Sequence, residues 1–158
     1  MRDRLWKRAL ISVGVMAWCF PGAGLLIGQT AQPGAGNVIR VAASGLRSDK
    51  GQIVCALFAS AEGYPKKDEK AVAHAHGAIA EKRASCEFTG IAPGTYAVSV
   101  FHDENSNGKL DTNFIGMPKE GVGASNNASG HMGPPKFSAA AFPYAGGALE
   151  LKITIRYL

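Results

Sequence analysis

"GTYAVSVFHD", residues Gly94–Asp103, is the stretch that decides the fold. Its small, β-branched and aromatic residues alternate with a period of two, which predicts a β-strand with at least one buried face. One face carries Tyr96, Val98, Val100 and His102, and the other carries Ala97, Ser99, Phe101 and Asp103. A central strand of this quality indicates a β-sheet protein.

Shorter segments of the same character lie on both sides of this strand, separated by turns rich in glycine and proline. They are "NVIRVAA" (37–43), "GQIVCALFAS" (51–60), "HGAIAE" (76–81), "ASCEFTGI" (84–91) and "GALELKITIRYL" (147–158). The third and fourth are predicted to form a hairpin about residues 81–83, and one helical turn is predicted about residues 69–73. Short strands at this spacing predict a single all-β domain, an antiparallel β-sandwich spanning residues 38–158. The long irregular segment 103–137 interrupts the pattern, and loops of that length are usually functional or held in place.

The first 31 residues have the composition of a secretory signal peptide. A basic head is followed by an apolar middle and a tail of small residues, and no charged residue occurs between Arg8 and Arg40. This pattern predicts a signal helix, with residues 32–37 as a linker, and a periplasmic or secreted protein. Residues 9–27 are also long enough to remain as an uncleaved anchor in the inner membrane, with the domain facing the periplasm. Contact with a membrane is predicted only through this segment, if it is not cleaved.

The net charge of the predicted mature chain argues against nucleic acid as a partner. The full chain has 17 basic and 12 acidic side chains, a net charge of +5. Without residues 1–31 the chain keeps 13 basic and 11 acidic side chains, a net charge of +2. A nearly neutral domain lacks the basic surface that phosphate backbones require.

Two cysteines remain in the predicted mature chain, Cys55 and Cys86, and both lie in strand-like segments. In an oxidising compartment an even pair predicts a disulfide, and closing a loop of about thirty residues stabilises a fold by roughly 3–4 kcal/mol. Two buried free thiols are the alternative.

The polar stretch "FHDENSNGKLDTNFIG" (101–116) follows directly on the central strand. Its oxygen-bearing residues recur at every second position, and Gly108 stands where a calcium loop makes its sharp turn. The predicted ligands are Asp103, Asn105, Asn107, the Lys109 carbonyl and Asp111. Phe114 occupies the position of the usual bidentate glutamate, so Glu104 or Glu120 would have to close the site, and calcium affinity would be weak, roughly 10⁻⁴–10⁻³ M. A metal-free turn is the alternative, because Asn and Asp side chains also cap turns.

A longer segment, "IAPGTYAVSVFHDENSNGKLDTNFIGMPKEGVGASNNASGHMGPPKFSAAAF", resembles the signature of the exported bacterial proteins grouped as domain of unknown function 2141 (DUF2141). Its elements occur in order at residues 93–98, 101–111, 116–120, 125–127 and 133–137. The one departure is the lack of an aromatic residue near Val122 and Ala124. The resemblance implies a location in the envelope or outside the cell and a transthyretin-like or immunoglobulin-like sandwich. It implies no particular activity.

Two classes of function are compatible with these residues. The first is a non-catalytic structural or binding module with an envelope protein or glycan as its partner, in which His102, Glu120, Asn126 and Asn127 brace the long segment. The second is a hydrolase with a site around His102 and His131, aided by Asp103 or Asp111 and Ser125. No G-x-S-x-G nucleophile motif supports the second class.

Overall fold

The computed structural model describes residues 36–130 and 133–158. The predicted signal segment and most of the predicted linker lie outside these residues. The described ranges contain eight strands, one short α-helix and two 3₁₀ turns. They are β1 (Val38–Ser44), β2 (Gln52–Phe58), the turn Asp68–Lys70, β3 (Ala73–Ala80), β4 (Arg83–Thr89), β5 (Gly94–Asp103), β6 (Val122–Ala124), the turn Ser125–Asn127, α1 (Phe137–Ala140), β7 (Phe142–Tyr144) and β8 (Ala148–Thr154).

The strands form one continuous, nearly closed sheet in the order β6-β5-β2-β3-β4-β1-β8, with β7 paired to the start of β5. A bridge between Val122 and Arg156 brings the two ends of this path together. The mainly-β prediction is therefore confirmed, but the sandwich of two separate sheets is not. The reason is β3, which pairs first with β2 and then, at Ile79 and Ala80, with β4, so that it joins both halves.

Pairing along this path is antiparallel except at one position, where β1 and β8 run parallel. Parallel neighbours need a long connection, and here the connection is almost the whole described chain. The purely antiparallel form of the prediction is wrong at this pair. It was built from local strand patterns, which carry no information on how the first and last strands meet.

The hairpin between β3 and β4 is confirmed. Glu81 and Lys82 form its turn with φ of 52° and 55°, the left-handed conformation that matches the twist of paired strands. The helical turn predicted about residues 69–73 is shifted. It is the 3₁₀ turn Asp68–Lys70, and Ala73 already belongs to β3, because pairing with Leu57 on β2 extends the strand.

Apolar side chains from most strands fill the inside of the sheet, including Ile39, Val41, Ile53, Leu57, Phe88, Val98, Val100 and Ile153. The disulfide between Cys55 on β2 and Cys86 on β4 crosses this core, and both residues are buried. The predicted disulfide is confirmed. It ties together two strands that are separated in the sheet by β3, which makes it a cross-link within the core.

The outer face of β2 and β5 is covered by part of the long segment. Tyr64 packs edge-on between Phe58 and Phe137, with ring centroids 5.2 and 5.7 Å apart, and its burial raises the pKa of its hydroxyl to about 12. The segment 103–137 is less irregular than predicted, because it contains β6 and one 3₁₀ turn. Within the described ranges, no helix has both the length and the apolar character needed to cross a bilayer.

Candidate functional site

The polar loop, residues 103–111, begins at the last residue of β5. Asp103 is fully buried, and its carboxylate accepts hydrogen bonds from the backbone N–H of Asn107 (3.0 Å) and Gly108 (2.8 Å). A third bond comes from the Gln52 side chain (3.0 Å), which lies opposite Asp103 in the β2–β5 register. One carboxylate thus folds the loop back onto the strand end.

These bonds also determine the charge of Asp103. Burial by itself raises the pKa of a carboxyl group. Here the Gln52 side chain and the backbone N–H groups of residues 106–108 outweigh it and hold the pKa of Asp103 below its ordinary value of 3.8. The group is therefore an ionised acceptor at neutral pH.

The amide side chains of the loop face Asp111. The Asn105 Oδ1 accepts the Asn107 N–H (3.1 Å), and the Asn107 Oδ1 accepts the Lys109 N–H (2.8 Å). Because both oxygens are turned to the backbone, both nitrogens point at the Asp111 carboxylate, at 2.8 Å from Asn105 and 3.2 Å from Asn107. The predicted ligand residues are brought together, but as a ladder of local turns.

This ladder is a poor fit for a cation. Calcium takes six to eight oxygen ligands. Both Asp103 oxygens receive N–H donors, and both Asp111 oxygens face amide nitrogens. Among the described residues, no group of three or more His, Cys, Asp or Glu side chains could hold a metal ion. A cation would require both amides to turn over and release their backbone partners, so calcium binding stays a prediction.

Glu120 closes the base of the loop. It is 4% exposed, and its two carboxylate oxygens accept the backbone N–H groups of Glu104 and Asp111, each at 2.9 Å. The residue lies where the sequence analysis expected a closing carboxylate. Its oxygens join the two ends of the loop through the backbone.

An ion pair holds the outer side of the loop. The Arg47 guanidinium makes a two-pronged contact with the Glu104 carboxylate, with Nε 2.9 Å from Oε1, and lies 4.5 Å above the Tyr157 ring. The hydrogen bond from Arg47 lowers the pKa of Glu104. Sequence reasoning missed Arg47 and Tyr157. For Tyr157 a signal existed, because it continues the buried alternation of Ile153 and Ile155.

His102 is fully buried, and both of its ring nitrogens are engaged. Its Nε2 lies 2.7 Å from the Lys50 carbonyl oxygen, which can only accept, so Nε2 carries the hydrogen. In the neutral ring Nδ1 then accepts the Tyr157 hydroxyl at 2.7 Å, and that hydroxyl accepts the Arg47 backbone N–H at 3.0 Å. Neither nitrogen is open to a substrate. The other predicted catalytic histidine, His131, lies outside the described residues.

The 3₁₀ turn Ser125–Asn127 fastens the rest of the long segment. Ser125 is fully buried, and its hydroxyl donates to the Ala140 carbonyl (2.6 Å) and accepts the Val98 N–H (2.9 Å). The Asn126 amide donates to the Ala141 carbonyl at 2.9 Å, and the Asn127 Oδ1 accepts the Thr154 N–H at 2.8 Å. These three side chains hold α1 and β8 against the sheet.

Residues 111–119 form a small projection that we call the tip hairpin. Thr112 and Pro118 form a bridge, and the Asn113 Oδ1 accepts the backbone N–H groups of Ile115 (3.0 Å) and Met117 (2.9 Å). Its apolar side chains point outward, since Phe114 is 99% exposed and Ile115 is 68% exposed. The sequence analysis did not single them out, although "FIGM" is an apolar run outside every predicted strand.

The family model described as "Uncharacterized protein conserved in bacteria (DUF2141)" matches residues 41–152. The chain belongs to this family. The matched range contains the polar loop, the tip hairpin and both cysteines of the disulfide. No curated protein and no solved structure matches the chain. The resemblance seen in the sequence is thus confirmed, and the family description carries no activity.

In this DUF2141 protein, the buried polar side chains of the site act on the backbone. Asp103, Glu120 and Ser125 each bind main-chain groups, and each is less than 5% exposed. The exposed part of the same segment is apolar and lies on the tip hairpin. The arrangement is suited to presenting a shaped loop to a partner.

Proposed function

We propose that this protein is an exported, non-catalytic module of the cell envelope that binds a partner through the long segment 103–137. Its location would be periplasmic or secreted after removal of residues 1–31, or anchored in the inner membrane by them. The observation that carries the proposal is the contrast within the segment. Its carboxylates are turned inward to hold the backbone, and Phe114 and Ile115 are turned outward.

The Cys55–Cys86 disulfide supports export. Disulfides form and persist in oxidising compartments such as the periplasm and are rare in the cytosol. This one lies in the core, where both sulfurs are shielded from reductants. The basic, apolar and small-residue order of the first 31 residues supports the same location.

The burial of the candidate catalytic groups supports a non-catalytic role. A general base must reach the proton it abstracts, and a nucleophile must reach the substrate. Both nitrogens of His102 and the hydroxyl of Ser125 already have partners inside the protein. The hydrolase alternative therefore has no described residue that favours it.

The proposal is tested by photo-crosslinking in intact cells that express the full chain. A benzophenone side chain replaces Phe114 in one variant and Val72, which is 57% exposed on a distant surface turn, in the control. We expect an adduct with an envelope component at position 114 and none at position 72. Equal labelling at both positions, or recovery of the protein in the cytoplasm with its first 31 residues intact, would contradict the proposal. N-terminal sequencing of the recovered protein distinguishes the cleaved from the anchored form.

A further inference from the structure

We propose that the tip hairpin docks on an anionic lipid surface, inserting Phe114 and Ile115 between the headgroups. This inference rests on the proposed function, because export would bring the segment to a membrane, and it names the chemical class that the tip contacts. Four observations carry it: the apolar exposure, the closed backbone, the flanking charge and the rigid base.

Apolar exposure is concentrated at the tip. Among the described residues six large apolar side chains are exposed, and four of them lie between residues 110 and 117: Leu110, Phe114, Ile115 and Met117. Taking about 200 Å² for a fully exposed large side chain, these four expose about 500 Å². Exposed apolar patches of this size mark interaction surfaces, including membrane contacts. Specific protein interfaces bury roughly 800 Å² per partner, so the tip alone is small for a second protein.

The backbone of the tip is closed on itself. The N–H of Asn113 bonds to the Met117 carbonyl at 2.8 Å, and the N–H of Gly116 bonds to the Asn113 carbonyl at 3.0 Å. The Asn113 side chain takes the N–H groups of Ile115 and Met117, and Pro118 has no N–H. Unsatisfied backbone groups are costly in an apolar medium. A tip that satisfies these groups internally can enter the interface without that cost.

The charge around the tip complements an anionic surface. Residues 112–119 contain no Asp or Glu, and exposed Lys109 and Lys119 stand on either side. No ion pair within the described residues engages either lysine. The nearest acidic group of the loop, Asp111, is covered by the Asn105 and Asn107 amides. Lysines close to an anionic membrane contribute about 1 kcal/mol each.

The base of the hairpin is already rigid. Glu120 binds the Asp111 N–H, and the Lys119 N–H bonds to the Asp111 carbonyl at 2.9 Å. Docking therefore orders little additional chain, and pre-ordered segments bind with a smaller entropy loss. The tip can act as a fixed wedge.

The test uses the full chain and the fluorescence of a single indole at the tip. The chain has two tryptophans, Trp6 and Trp18, which are replaced by Phe, and Phe114→Trp places the only indole at the tip. Vesicles of phosphatidylcholine, with or without phosphatidylglycerol, carry bromine on their acyl chains. We expect a blue shift and quenching with phosphatidylglycerol and much less without it. An unquenched indole in both vesicles would overturn the inference.

Variants in the unaltered full chain measure partitioning by vesicle sedimentation, so the N-terminal segment is the same in each. F114S/I115S is expected to partition at least about tenfold more weakly, and K109Q/K119Q about fivefold more weakly per lysine. V72S, an exposed apolar residue away from the loop, is expected to match the wild type. Because all of these side chains are exposed, every variant should melt at the wild-type temperature. A tip variant that partitions as the wild type does would overturn the inference.

The two proposals fail in different ways. If F114S/I115S abolishes a concentration-dependent dimer in sedimentation equilibrium while vesicles leave the indole unquenched, the tip binds a second copy, and the lipid inference is wrong. If the indole is quenched by lipid but position 114 gives no crosslink in cells, the lipid contact stands and the proposed envelope function fails.

Discussion

Replacing Asp103 with asparagine should unlatch the polar loop and destabilise the whole domain. The wild-type carboxylate accepts three hydrogen bonds in a fully buried position, two from backbone N–H groups and one from Gln52. In D103N one oxygen becomes an amide nitrogen. The most favourable orientation keeps the bonds from Gly108 and Gln52 and sets the new donor against the Asn107 N–H. One charge-assisted bond is lost, and two donors are left facing each other.

The expected loss follows from these contacts. A hydrogen bond to a charged group contributes about 1.5–3 kcal/mol, and leaving a buried donor unpaired costs about 1–3 kcal/mol. Since the Asn107 N–H can tilt toward water, we expect a total loss of about 3 kcal/mol. Small domains have an unfolding free energy of roughly 5–15 kcal/mol. A domain of this size should therefore melt roughly 10 °C lower.

Urea unfolding of the full chain at pH 7 measures this loss, with Glu69→Gln as the control because Glu69 is exposed. The pKa of Asp103 is lower in the folded state than its ordinary 3.8. Its contribution is thus present above pH 4 and is lost as the pH falls through the folded pKa. The gap between wild type and D103N should narrow below pH 4. A variant within 0.5 kcal/mol of the wild type at pH 7 would refute the view that this carboxylate holds the loop.

Three further predictions concern the loop, the cover and the core. Calcium at about 1 mM should leave the melting temperature unchanged relative to chelator, because the amide nitrogens face Asp111; a site with a Kd of about 10⁻⁴–10⁻³ M would instead add about 0.4–1.4 kcal/mol, and that shift would establish the predicted calcium site. Ser125→Ala should lower the unfolding free energy by about 2–3 kcal/mol, since the Val98 N–H and the Ala140 carbonyl lose their partner, whereas the exposed control Ser129→Ala should lose less than 0.5 kcal/mol. Replacing both Cys55 and Cys86 with alanine should cost about 3–4 kcal/mol in thermal unfolding, because the bond closes a loop with a sequence separation of 31; a loss below 1 kcal/mol would argue against a cross-link that constrains the unfolded chain.

The sequence was informative wherever the structure is local. The alternation from Gly94 to Asp103 predicted β5 with its correct bounds, and the turn at Glu81 and Lys82 was placed within one residue. The apolar run "IVCALF" predicted a strand buried on both faces, and β2 has that burial. In each case neighbouring residues carry the signal, because a strand's period and a hairpin's turn extend over only a few positions.

Features that join distant parts of the chain left no comparable signal. The pairing of β1 with β8 and the contact of Arg47 with Tyr157 each span about 110 residues, and no local period records them. The polar loop fails for a different reason. Spacing of Asp and Asn at every second position is shared by calcium loops and by runs of side-chain-capped turns. Only the direction of the Asn105 and Asn107 amides separates the two, and that depends on which backbone N–H each oxygen meets.

The pairing of the first strand with the last sets the order in which this protein can become compact. As the chain emerges from a ribosome or a translocation channel, β1 appears more than a hundred residues before β8, its neighbour in the finished sheet. Until residues 148–156 are out, one edge of β1 has no partner, and the core lacks Ile153 and Ile155. Contacts between residues far apart in sequence form late and slowly. The nascent chain therefore stays extended and threadable until its end has passed, with its edge open to chaperones for that interval.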